Sequence, residues 1–385
     1  MKKIVYAVYH DTNKEERSRE LLDCCRKMGE VNFVSYAMPR GVNDIKAHII
    51  NKKSPFALIS FIIAVKKTIK KVNPDYVFLH DNDCSAVIPF VKKNFPNAKI
   101  IYDSSELYIK KKTNINTKNK QQYFWGNNGI LIWIKQKMTA FRAYYEKKYL
   151  KQADVVLVAN YERAKIMKDY FGLKSLPSIF DNMHKIEEVF DEKKCRDKFG
   201  ALIDRTRFNI LFGGGLSEER KTFDYIKAFN KLDDRFNLII AGSSSAVAKK
   251  NYDKLISEKK IKNIHYVGFV SRADLKYLMK ECQASVVVFD KDSYNTLYCA
   301  SGKCYESLFE RTPILASENP PLKRLCEEEN VGVSNDDYKK GILQLYKNYD
   351  QYVEGVKNYI KKVKYEEREN YLIEEIKTKL GEKSE

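Results

Sequence analysis

Three consecutive glycines, Gly213, Gly214 and Gly215, follow an apolar run at 208–212 and precede Arg220, Lys221 and a helical pattern. Glycines let backbone amides come close to a phosphate, and a helix starting just beyond favours negative charge. Arg220 carries the planar fork that grips a diphosphate through two hydrogen bonds. A plain glycine turn beside solvated cations has the same appearance, so this segment alone leaves both readings open. It is not a P-loop, because Gly-Lys-Ser/Thr is absent, and it is not a G-x-G-x-x-G fingerprint. A second segment sets Ser301, Gly302 and Lys303 at a helix start, with Glu306 one turn in. Amides there can meet a phosphate, and the carboxylate can accept from ribose hydroxyls. A glutamate that only steadies its own helix looks alike. Asp81 and Asp83 are spaced to hold Mg²⁺ or to cap a helix. The histidines (His10, His48, His80, His184, His265) are scattered, which argues against a His-based metal site. The eight cysteines form no C-x-x-C pair and no disulfide framework, and a reducing cytosol is the simplest compartment for them.

In this order, residues 208–332 resemble the donor half of a GT-B glycosyltransferase of the large retaining group called family 4, or glycosyl transferases group 1. The likeness rests on the glycine loop, on a helix ending in Ala228-Phe229, and on a strand ending in Ala241-Gly242. It continues through Val267-Gly268-Phe269-Val270-Ser271 and from Ser301 and Glu306 to Pro313-Ile314-Leu315-Ala316-Ser317. In the first half, His80-Asp81, Tyr102-Asp103-Ser104-Ser105-Glu106 and Ala153-Asp154 are similar to the group's segments more weakly. The resemblance implies a nucleotide-diphosphate sugar as donor and a glycan, often lipid-linked, as acceptor in surface-polysaccharide assembly. It implies donor contacts at Gly213, Gly214, Gly215, Lys221, Gly242, Val267, Gly268, Phe269, Val270, Ser301, Gly302 and Glu306. Arg220 and Lys303 are then expected to stabilise the departing diphosphate without a metal or other cofactor. Asp103 and Glu106 are expected to orient acceptor hydroxyls, with helix capping as their other reading. Tyr298 stands where the group often has a first glutamate, and Ser105 where it often has histidine. These departures keep a catalytically silent GT-B protein as the alternative.

The elements that must position these residues alternate. Apolar runs at 3–9, 31–35, 76–80, 100–102 and 155–158 read as strands, and patterns at 16–28, 56–71, 86–94, 139–150 and 161–170 as helices. The second half repeats the plan, with strands at 208–212, 236–241, 264–267, 286–289 and 314–316 and helices at 224–232, 274–282 and 303–310. Such alternation means parallel sheets covered on both faces. The expected fold is α/β: two doubly wound, Rossmann-like domains at 1–185 and 208–355 facing a cleft. A polar linker at 186–207 and a helical tail at 356–385, packing back toward the first domain, complete it.

The length of 385 residues suits two domains, and 44% hydrophobic residues are enough for their cores. No apolar run is long enough to span a bilayer. The formal net charge is +19, with 70 Lys and Arg against 51 Asp and Glu, and such a field draws anions. The stretches 56–71, 110–120 and 135–151 mix lysine with apolar side chains, and Tyr123, Phe124, Trp125 and Trp133 lie among them. That mixture suits an anionic membrane surface, so the chain is expected to sit at the inner face of the cell membrane. No helix-turn-helix, RNA-binding or zinc signature accompanies the charge, which leaves nucleic acid the lesser alternative.

Overall fold

The computed structural model describes residues 1–51, 56–109 and 129–382. The chain divides into two compact units, Met1–Asp181 with Tyr365–Glu385, and Asn182–Lys364.

The first unit holds a seven-stranded parallel sheet. Its strands are β1 (Lys2–Ala7), β2 (Gly29–Ser35), β3 (Lys46–Ile49), β4 (Tyr76–His80), β5 (Lys99–Ser104), β6 (Val155–Val158) and β7 (Ser178–Ile179), in the order β3-β2-β1-β4-β5-β6-β7. The central strands are buried on both faces, which is why they read as unbroken apolar runs. Ile4, Tyr6, Phe33, Phe78, Ile101 and Leu157 pack one face against Leu21 and Leu22 of the helix Glu16–Met28. Leu372, Ile373 and Ile376 of the helix Arg368–Lys379 join this same core. Arg368 is bound there by Glu20 at 2.6 Å and by the Asp181 carbonyl at 2.7 Å.

The second unit holds a six-stranded parallel sheet of β8 (Phe208–Phe212), β9 (Phe236–Ala241), β10 (Ile264–Gly268), β11 (Ala284–Val287), β12 (Ile314–Ala316) and β13 (Gly332–Ser334), in the order β10-β9-β8-β11-β12-β13. Separate apolar clusters line the sheet, one around Phe212, Tyr225 and Phe229 and another around Leu211, Ile239 and Leu278. Both sheets are doubly wound. Strand order reverses between β1 and β4 in the first and between β8 and β11 in the second, and the crevice outside the carboxyl ends at such a point is where open α/β sheets bind ligands.

Residues 186–207, expected as a linker, carry the helix Glu192–Phe199 and place Ile186, Cys195, Phe199 and Ile203 in the second unit's core. The helix Tyr349–Lys362, half of which falls in the expected tail, also belongs to that unit. Strands β3, β7 and β13 and the helices Ala246–Lys259 and Pro320–Glu329 add to the expected set. The basic segment 110–120 and Tyr123, Phe124 and Trp125 lie outside the described residues, as do the side chains of Trp133 and Lys135.

Candidate functional site

In the second unit the loops leaving β8, β9 and β10 are tied edge to edge. Gly215 N–H donates to the Ala241 carbonyl at 2.9 Å, and Gly242 N–H donates to the Gly268 carbonyl at 2.7 Å. Gly215 has φ +66°, and a Cβ there would lie 2.1 Å from the Ser243 carbonyl oxygen. A Cβ on Gly242, at φ +133°, would lie 2.6 Å from Gly215 N, so the two glycines let these backbones touch. Thr222, fully buried at the start of the helix Thr222–Phe229, locks the loop. Its Oγ1 donates to the Gly215 carbonyl at 2.9 Å and accepts from Ser217 N–H at 3.2 Å. Thr222 was not anticipated, although its place at the helix start after a glycine loop is a usable signal.

Two cations lie along this loop. Lys303 runs its stem across Gly213, where an added Cβ would meet its Cδ at 3.7 Å. Arg220 packs against Gly214, and its guanidinium stacks on Phe289 at 3.8 Å from the ring centroid, which fixes the plane of the fork. Ser301 is the N-cap residue of the helix Gly302–Phe309 and makes no side-chain cap hydrogen bond. Gly302 lets His184 approach, since a Cβ would lie 3.3 Å from its Cδ2. Glu306 is 4% exposed; its Oε1 accepts from Arg272 at 3.1 Å, while its Oε2 is buried without a hydrogen-bond partner. Arg272 also meets Glu188 at 3.1 Å, a pairing that no sequence motif announces.

The structure therefore brings together Gly213, Gly214, Gly215, Gly242, Gly268, Arg220 and Lys303. Lys221 is the left-handed residue before the helix, at φ +53°, and its side chain makes no cap hydrogen bond. Of the expected base-binding stretch, Val267 and Val270 pack into the core and offer backbone, whereas Phe269 is 81% exposed. Tyr298 stacks on Tyr294 with ring centroids 5.9 Å apart. The loop that precedes it is held by Asn319, which donates to the Asp290 and Thr296 carbonyls.

The first unit gathers different chemistry at the carboxyl ends of β1, β4 and β5. Asp103 is 1% exposed and both of its oxygens accept from Arg17, at 3.0 and 3.1 Å from Nε. This corrects the expectation of an acceptor-facing carboxylate: Asp103 is committed inside the fold. Burial raises the Asp103 carboxyl, but Arg17 and His80 outweigh that and hold it below its ordinary range. Glu106 is half exposed and lies 4.0 Å from Arg163. Asp81 accepts from Ser105 N–H and Oγ, while Asp83 pairs with Arg142, so the two do not share a cation.

The scattered histidines do meet. His10 and His80 stand with ring centroids 4.7 Å apart, and Glu15, which caps the helix Glu16–Met28, lies 3.0 Å from His10 Nε2. His80 is fully buried. Burial lowers its pKa, yet Asp81, Glu15 and Asp103 together push it up to about 9. Burial raises Glu15, but His80 and His10 hold it well below the usual carboxylate range.

Residues 193–377 match the family described as Glycosyl transferases group 1. The chain has the GT-B fold. Its fold is similar to that of Alr3699/HepE from Anabaena, solved in complex with UDP and glucose, at 12% identity and a TM-score of 0.68 over 99% of this chain and 100% of that one. It is similar to sucrose-phosphate synthase from Thermosynechococcus elongatus, at 15% identity and a TM-score of 0.64 over 99% and 98%. WaaG, described as a glycosyltransferase involved in lipopolysaccharide biosynthesis, aligns at 12% identity and a TM-score of 0.62 over 97% and 99%. No curated protein matches the chain. Among the described residues no helix is long and apolar enough to cross a membrane.

Proposed function

We propose that the protein transfers a sugar from a nucleotide diphosphate to a hydroxyl of a glycan acceptor, with the donor bound by the second unit. The observation that carries this reading is Glu306 Oε2, a buried carboxylate oxygen without a partner, on the same helix as Lys303, whose stem crosses the glycine loop at Gly213. A buried acceptor oxygen asks for donors, and a ribose supplies two hydroxyls. In this reading the phosphates face residues 213–215, Arg220 and the helix start at Ser301, Gly302 and Lys303. The base takes backbone groups at 267–270. The leaving diphosphate gathers charge in the transition state, and Arg220, Lys303 and the helix amides offset it without a metal. Retention of configuration follows from the resemblance to the retaining group. The UDP and UDP-glucose complexes of the Anabaena protein support a uridine donor as the first to try.

A lipid-linked acceptor at the cytoplasmic face of the membrane, within surface-polysaccharide or capsule assembly, is the finer part of the proposal. It is supported by the lipopolysaccharide role of WaaG and by a basic, apolar flank of the first unit. There the helix Ala57–Val72 exposes Ile59 and Ile63, and Lys66 and Lys70 lie over the Phe90 ring at 5.4 and 5.9 Å. A groove bordered by Ile62, Lys66, Phe90, Phe141 and Tyr145 runs along it.

Assays of UDP- and GDP-sugars with and without purified lipid-linked acceptors test the reading. Acceptor-dependent release of the nucleotide is expected. Tight diphosphate binding with neither hydrolysis nor transfer marks the silent GT-B protein that Tyr298 favours, and absence of diphosphate binding overturns the proposal.

A further inference from the structure

The reversal point of the first sheet, between β1 and β4, carries His10 just beyond one strand and His80 at the end of the other. Where the second unit lines its crevice with amides and cations, the first lines its own with imidazoles and carboxylates. His10 Nε2 lies 3.0 Å and His80 Nε2 3.8 Å from the same Glu15 oxygen, and the three ligand atoms lie within 4.8 Å of one another. Bonds of about 2.0–2.2 Å to a tetrahedral zinc ion set ligand atoms about 3.4 Å apart. Only His10 and Glu15 must shift to meet that spacing, and both are partly exposed, at 26% and 33% of their side chains.

We propose that His10, Glu15 and His80 form a binding site for a divalent transition-metal ion of the zinc class. Three further observations point to it. His80 is 0% exposed and its Nε2 has no hydrogen-bond partner, an arrangement that a native interior rarely leaves unexplained. Behind the ring, Nδ1 lies 2.9 Å from Asp103 Oδ2, and Arg17 clamps that carboxylate from its other side. A carboxylate at the back of an imidazole orients the opposite nitrogen toward a metal. Finally, Glu15 and Asp81 flank Nε2 at 3.8 and 3.7 Å, while Arg17 is engaged by Asp103, so two negative charges face the place where the ion would sit. Three protein ligands leave a fourth position for water or a substrate oxygen. The site lies in the first unit and is independent of the donor diphosphate, for which no metal is invoked.

The test uses the full chain, stripped with a chelator and titrated with Zn²⁺ against a chromophoric competitor near neutral pH. One ion per chain is expected, with a rise in melting temperature on saturation. His80→Ala and His10→Ala should each weaken binding at least tenfold, and His48→Ala, on the edge strand β3, should not. His10 is partly exposed, so His10→Ala decides the matter if His80→Ala does not fold. Failure of Zn²⁺ to saturate the parent, or equal binding by the parent and His10→Ala, overturns the proposal and leaves His80 as a protonated ring among carboxylates.

Discussion

Glu306 has two unlike oxygens: one is engaged by Arg272, and the other is buried and waits for a donor. Glu306→Gln keeps the shape and turns one acceptor into an amide, so calorimetry with a nucleoside diphosphate should register a loss of about 1–3 kcal/mol. An unchanged affinity would remove Glu306 from the ribose site. Glu146 makes a second residue-scale prediction. It is 3% exposed on the helix Gly129–Tyr149, and Tyr102 donates to it at 2.8 Å. Burial pushes its carboxyl up from 4.5 to about 8. The folded chain therefore keeps a proton that the unfolded chain releases, and stability contributed by Glu146 is full below about 4.5 and falls as pH rises toward 8. Glu146→Gln has no such proton. Its melting temperature should gain on the parent's between about pH 5 and pH 8.5, and a constant gap would refute the assignment. Legibility in the sequence divides along the same line. The glycine loop with Arg220, and Ser301 with Glu306, each lie within one short stretch of sequence and can be read there. Arg272 with Glu306, and Arg17 with Asp103, join residues 34 and 86 positions apart, and no local pattern announces such partners.

Elements buried on both faces declare themselves by composition: β4, β6, β8 and β9 are buried from end to end, and only His80, Asn209 and Asn237 interrupt their apolar residues. Edge strands do not. In β3 every residue is at least partly exposed, so Lys46–Ile49 carries no apolar run to read. The helix Glu192–Phe199 was hidden for a related reason: among eight residues only Cys195 and Phe199 are apolar, and the charged remainder reads as a linker. Those two residues, four apart, face one direction and anchor the helix to the core of the second unit. Phe199 is 2% exposed, and Phe199→Ala should cost about 3–5 kcal/mol in denaturant titrations of that unit. A true linker residue would cost almost nothing, so a value near zero would return this segment to the linker class.

For the whole molecule, the net charge of +19 and the exposed Ile59 and Ile63 beside Lys66 and Lys70 lead to one expectation about surfaces. The protein should float with anionic vesicles at low salt and detach as ionic strength shortens the Debye length below about 10 Å. Replacing Lys66, Lys70, Lys147 and Lys148 by glutamine should abolish flotation, and persistence would move the contact to another face. The division of the chain has a consequence in time. The first unit takes its core from Met1–Asp181 and also from Leu372, Ile373 and Ile376, with the whole of Asn182–Lys364 lying between them in sequence. On the ribosome the second unit can close before the first has received its last helix. The earlier-made unit waits, with the apolar face of the helix Glu16–Met28 uncovered, for residues synthesised much later. Nascent-chain chaperones would have longest access to the part of the protein that is made first, and a message cut short after Lys364 would spoil the N-terminal unit while leaving every residue of the second unit in place.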